Sequence, residues 1–92
     1  MTIVIELPAT LRPYASGESR VALDGEDSFG GALDALVTRH PRLRKRLLTS
    51  SGAIYDFVGV FVNDRRLDRD DMPDRALSDG DVVSFVPAMA GG

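Results

Sequence analysis

The residues with chemical potential lie at the very end of the sequence, in PAMAGG, where Gly91 and Gly92 close the 92-residue chain. A terminal Gly-Gly has two readings: a passive tail, as chain ends often are, or a device that makes the terminal carboxylate itself the working group. Elsewhere the inventory for catalysis is thin. The chain contains no cysteine, which rules out a thiol nucleophile, thiolate metal ligands and disulfides. His40 is its single histidine, followed directly by Pro41, and is expected to sit at the surface where a helix ends. Ser-His or metal catalysis therefore has little to draw on, and neither a catalytic residue nor a metal site is expected within the chain. Asp68, Asp70, Asp71 and Asp74 invite a calcium reading, but the mid-loop glycine and closing glutamate of an EF-hand are missing, so this loop is expected to be solvated.

A second cluster is basic. RHPRLRKR, Arg39 to Arg46, concentrates positive charge in a chain whose net charge is -3. It reads as the solvated face of a short helix, or else as a docking site for an acidic partner. No aromatic residues are interleaved with it, and the acidic balance of the whole speaks against nucleic acid or an anionic membrane as partner. The first residues, MTIVIELP, lack the basic start and long apolar core of a signal peptide. Apolar runs such as VGVFV are too short to cross a bilayer. A cytoplasmic location is the expectation.

The elements that must position these groups follow from periodicity. Ile3, Ile5 and Leu7 alternate with Thr2, Val4 and Glu6 in a β-branched run, which predicts a strand halted by Pro8. SRVAL, with Val21 and Leu23 on one face, predicts its hairpin partner. Phe29, Ala32, Leu33, Leu36 and Val37 recur at helical spacing behind Ser28, a good N-cap. Gly30 and Gly31 lower the propensity of the first turn, and Pro41 ends the helix at His40. RLRKRLL supplies a further turn or short helix with Leu43 and Leu47 inward.

VGVFV predicts a strand with Val58, Val60 and Val62 on one face and Gly59 and Phe61 on the other, and Asn63-Asp64 offers a turn before a short return through Leu67. LSDGDVVSFVP adds a turn at Ser78 to Asp81 and a last strand from Val82 to Val86, closed by Pro87. Alternation there sends Val83 and Phe85 inward and Val86 outward. Phe61 and Val86, with Met89 nearby, are thus expected to form an exposed apolar patch beside the tail, and such a patch suits partner docking. A sheet with one greasy helix on one face is an α+β domain. Its expected extent is 1–87, with 88–92 as an extended tail.

The order of these elements resembles the ubiquitin-like β-grasp, a mixed sheet packed on one main helix with a flexible C-terminal Gly-Gly tail. LRPY after the first strand, FVGVFVND at the third, SDGD before the last strand and terminal PAMAGG are similar to the MoaD/ThiS sulfur-carrier family, over nearly the whole chain. In length, LRP, VND and PAxAGG the likeness is greatest to the actinobacterial branch that serves cysteine synthesis.

The resemblance implies that the Gly92 carboxylate is adenylated by an E1-like enzyme using ATP, then converted to a thiocarboxylate that hands sulfur to an accepting biosynthetic enzyme. ATP would belong to that activating partner, and this chain would bind no cofactor of its own. An α-carboxylate, with a pKa of about 3.5, is an anion near neutral pH and resists nucleophiles until it is activated. Met89, Ala90 and Gly91 would thread the partner's channel, where the two glycines place no Cβ beside the reacting carbonyl. Without a cysteine in the chain, no internal thiol intercepts the activated acyl group. Two other roles remain compatible with the same residues: the sulfur-donating small subunit of molybdopterin synthase, and a ubiquitin-like module that binds or is conjugated to other proteins. Cysteine precursor, pterin, thiazole and secondary metabolite are all open as acceptors.

Overall fold

The computed structural model describes residues 1–72 and 74–87. Strand β1 (Thr2–Glu6) pairs antiparallel with β2 (Arg20–Asp24), from Thr2 opposite Asp24 to Glu6 opposite Arg20. Helix α1 (Phe29–Arg39) is followed by the short α2 (Arg44–Leu47). Strand β3 (Val58–Val62) turns into the two-residue β4 (Arg65–Arg66), and β5 (Val82–Pro87) ends the described chain. The sheet order is β2-β1-β5-β3-β4, with β5 in the centre, parallel to β1 and antiparallel to β3. This is the mixed, helix-backed sheet of the ubiquitin-like β-grasp.

Each alternating run buries the face that its pattern assigns. Ile3, Ile5 and Leu7 from the first strand region, Val21 and Leu23 from β2, Val58, Val60 and Val62 from β3, and Val83 and Phe85 from β5 all point into one core. Phe29, Ala32, Leu36 and Val37 of α1 close it from the other side, with the Phe29 and Phe85 rings 6.4 Å apart in a tilted arrangement. Leu33 is the exception in the helical stripe. It is only partly buried and borders an open groove.

The local signals act as their chemistry requires. Ser28 Oγ accepts the Gly31 N–H at 3.1 Å, an N-cap worth about 1 kcal/mol. A Cβ on Gly31 would stand 2.6 Å from Glu26 Oε2 and 3.2 Å from that same Ser28 Oγ, so the glycine makes room for the capped start of the helix. Asn63 and Asp64 both take left-handed φ, 51° and 69°, the backbone of a tight two-residue hairpin turn. Among the described residues, no helix is long and apolar enough to cross a membrane.

One side chain departs from expectation. His40 is not a surface residue: it is buried, at 9% exposure, and caps the C-terminus of α1 with its backbone N–H donating to the Leu36 carbonyl. His40 opens the 3-10 turn Pro41–Leu43, which packs on the 3-10 turn Arg12–Ala15 of the distant β1–β2 connector, so it lies inside a junction of two segments and not at a free helix end. His40 Nε2 has no hydrogen-bond partner among the described residues and lies 3.7 Å from Glu18 Oε2.

Candidate functional site

The site is the place where the central strand delivers the chain to its C-terminus. Val58 pairs with Pro87, Gly59 with Val86, and Phe61 with Ser84. Val86 and Phe61 therefore share the outer face of the sheet, away from α1, as diagonal neighbours on adjacent strands. Val86 is 52% exposed and Phe61 is half-buried. Of the expected patch, the structure shows this shared face, with Val86 exposed and Phe61 partly buried.

Gly59, placed on the same face by alternation, explains its shape. A Cβ there would lie 3.4 Å from Phe61 Cε1 and 3.5 Å from the Val86 carbonyl oxygen. The Phe61 ring thus lies along the sheet toward Val86, over ground that a side chain at position 59 would occupy. Arg66, paired with Phe61 across the hairpin, brings its guanidinium to the edge of the same spot, 3.8 Å from that Cβ position. Val4 and Val82, paired between β1 and β5 and partly buried, extend the apolar ground along the same face. Gly59 and Val82 are readable from strand phase; Val4 and Arg66 need the strand order.

The turn that launches β5 is braced by side chains. Asp81 accepts the Ser78 N–H on Oδ2 and the Asn63 Nδ2 on Oδ1, each at 2.8 Å. Asn63 Oδ1 in turn accepts the Val82 N–H at 2.9 Å. The Ser78 backbone N–H, then the Asn63 amide, hold the Asp81 carboxyl below its ordinary pKa, with a smaller pull from Arg75 and some opposition from burial. Gly80, at φ 86°, donates its N–H to the Thr2 carbonyl, while the Thr2 N–H donates to Asp79 Oδ1 at 2.7 Å. SDGD and VND are therefore one structure that fixes where the last strand begins.

LRPY and the basic segment are also one structure. Leu11 is buried, and Arg12 Nε donates to the Leu7 carbonyl at 3.1 Å. The Arg42 and Arg46 guanidiniums stand over the Tyr14 ring at 5.2 and 4.3 Å, and Arg39 donates to the Ala22 carbonyl at 3.0 Å. The cations of this basic run are exposed, as a solvated face would be, and three of them also fasten the β1–β2 connector and β2 to the helical side. Among the described residues, the Asp68 to Asp74 stretch forms no cluster of three or more acidic or imidazole groups able to hold a metal.

The expected attachment point Gly92, and Gly91, Ala90 and Met89 leading to it, lie outside the described residues.

Comparison with known proteins agrees with this architecture. The ThiS family profile matches residues 5–92. The sulfur carrier protein CysO of Mycobacterium tuberculosis is 32% identical over 94 aligned positions that cover all of both chains. The crystal structure of SAMP1 from Haloferax volcanii superposes with a TM-score of 0.86 at 32% identity, again over 100% of each chain. A chain of the Amycolatopsis orientalis BexX/CysO complex gives a TM-score of 0.84 at 27% identity, over 98% of this chain and 99% of that one. With β5 centred in a β-grasp sheet and the family match running on to Gly92, the chain belongs to the ThiS family.

Proposed function

We propose that this protein is a sulfur carrier that presents its Gly92 carboxylate to an E1-like enzyme. That enzyme would join the carboxylate to AMP from ATP, releasing pyrophosphate. Sulfide would then displace AMP, leaving a thiocarboxylate for an accepting enzyme. A persulfide would instead displace AMP to leave an acyl disulfide, which a second thiol of the sulfur donor cleaves to the thiocarboxylate while itself forming a disulfide. The protein is a co-substrate in this scheme and not a catalyst. The cysteine route is favoured as destination by the full-length likeness to CysO. A cytoplasmic location follows from the need for ATP.

The observation that carries the reading is the register of β5. It sets Val86 and Phe61 on one outer face and brings Pro87 to the sheet end opposite Val58, which supports reading these two side chains as a docking patch next to the start of the segment that leads to Gly92. An enzyme resting on that patch is placed to receive residues 88–92 in its active site.

Intact-mass spectrometry tests this with purified protein, an E1-like activating enzyme, ATP and a sulfur donor. The expected product is heavier by the difference between sulfur and oxygen and is lost when Gly92 is deleted. No gain with several competent activating enzymes, or a gain that survives the deletion, overturns the reading.

A second reading is favoured by one observation: the small archaeal modifier protein 1 of Haloferax volcanii is 36% identical over 73 residues, 79% of each chain. Under it, the activated Gly92 would pass to a lysine amine of another protein. A higher-mass adduct on other proteins, in place of the thiocarboxylate, distinguishes it.

A further inference from the structure

Among the described residues, the large exposed hydrophobics are Met1, Phe57 and Val86. The last two converge on one point. Val86 immediately precedes Pro87, and Phe57 immediately precedes Val58, the residue with which Pro87 pairs. Phe57 is 52% exposed, yet it is held in place: its ring stacks on Tyr55 with centroids 5.0 Å apart and planes 16° from parallel. The Val58 N–H closes the intervening turn on the Tyr55 carbonyl at 3.0 Å.

Arg69 clamps the same segment. Its guanidinium donates to the Ile54 carbonyl at 2.7 Å and the Tyr55 carbonyl at 2.6 Å, and its Nε lies 3.6 Å from Asp56 Oδ1. Behind the stacked rings opens a groove of about 880 Å³, lined by Phe29, Leu33 and Val37 of α1 and by Leu48, Ile54 and Phe57 opposite. A fold gains little from fixing an aromatic pair half in water, and apolar ground of this kind marks an interaction surface.

Resting on the carrier reading, we infer that Tyr55 and Phe57 form a second docking contact for the activating enzyme, on the helix side of the tail's root. The occupant is an apolar or aromatic side chain beside that enzyme's tail channel, seated in the groove against Phe57. The chain beyond Pro87 is residues 88–92, with a reach of roughly 18 Å at about 3.3–3.6 Å per residue. An enzyme holding Gly92 at its reacting centre must therefore bring its surface close around Pro87. Phe61 and Val86 would meet it on the sheet side and Phe57 on the helix side, so the two contacts would flank the Val58–Pro87 pair. Arg69 is a positioning residue for the second contact.

Titration calorimetry of the full chain against the activating enzyme tests the inference, using the parent, Phe57→Ser and Arg69→Ala. Phe57→Ser is expected to bind about tenfold more weakly with an unchanged thermal melt, and Arg69→Ala to lose part of that affinity. Amide exchange at residues 54–58 is expected to slow in the parent complex. Parent-like affinity for Phe57→Ser, with exchange at 54–58 unchanged by the enzyme, overturns the inference even where the parent gains sulfur. A parent that gains no sulfur but binds through Phe57 overturns the carrier reading and leaves the contact standing. Self-association of the parent that Phe57→Ser abolishes, with enzyme affinity intact, assigns the face to a second copy of the chain and also overturns the inference.

Discussion

Asn63 and Asp81, 18 residues apart, form the hinge pin of the sheet: Asn63 Nδ2 donates to Asp81 Oδ1 at 2.8 Å while Asn63 Oδ1 accepts the Val82 N–H at 2.9 Å. The amide uses both ends to join the β3–β4 turn to the start of β5. Because β5 is the central strand and ends at the tail, its starting point sets the register that brings Val86 beside Phe61.

Asn63→Ala removes both bonds and also forces a poorer residue into a left-handed turn position. The expected loss is about 1–2 kcal/mol, seen as a lower midpoint in urea with an unchanged slope. In a domain of this size that corresponds to a fall of roughly 4–16 °C in Tm. A melt within a degree of the parent would show that the backbone turn alone fixes β5.

The same contact has a pH signature. The Asp81 carboxyl is held below its ordinary range chiefly by the Ser78 N–H and then by Asn63, so the folded state binds the anion better than the unfolded chain does. Its contribution is complete above the unfolded carboxylate value of about 3.9 and is lost as pH falls through the lower folded value. The stability gap between the parent and Asp81→Asn is therefore expected to be constant above about pH 5 and to shrink steadily below pH 4. Urea titrations at several pH values measure it, and a gap independent of pH down to the acid limit would assign the effect to shape instead of charge.

Strand phase alone makes the outer face of the sheet legible. Phe61, Gly59 and Val86 fall outward because their neighbours Val60, Val62 and Phe85 fall inward, and alternation needs no knowledge of what lies alongside. The buried histidine is not legible in this way. His40 is buried beside two 3-10 turns that lie far apart in the chain and pack together, and no local pattern encodes that meeting. The stacking of Arg42 and Arg46 on Tyr14 has the same origin: a charge run reads as solvated until the chain brings an aromatic under it. Phe57 carries no such signal either, because it stands in a turn one residue before β3, where the period of two no longer applies.

Docking on the sheet side makes a direct prediction. Phe61→Asp and Val86→Asp add a carboxylate to ground that an apolar partner surface would cover, and an unpaired buried charge is costly. Each is expected to weaken binding of the activating enzyme by about tenfold or more, equivalent to about 1.4 kcal/mol. Val86, at 52% exposure, should tolerate the change with little loss of stability. Titration alongside thermal melts separates the two effects, and unchanged affinity for both variants would move the docking face elsewhere.

Gly91→Ala tests the tail as a geometric device. The described core is complete by Pro87: Val83 and Phe85 are the last buried side chains, and Val58 is the last partner in the ladder. A methyl group at position 91 should therefore leave the melt at the parent value. In a channel shaped to a bare backbone, the same methyl group meets the wall and narrows the φ and ψ available to the residue before the reacting one. A displacement of the Gly92 carboxylate by about 1 Å from the ATP phosphorus costs about 100-fold in rate. Single-turnover adenylation should show that loss, while affinity for the activating enzyme, which is proposed to rest on Phe61 and Val86, changes much less. Activation at the parent rate would mean that the first glycine is not required for the chemistry.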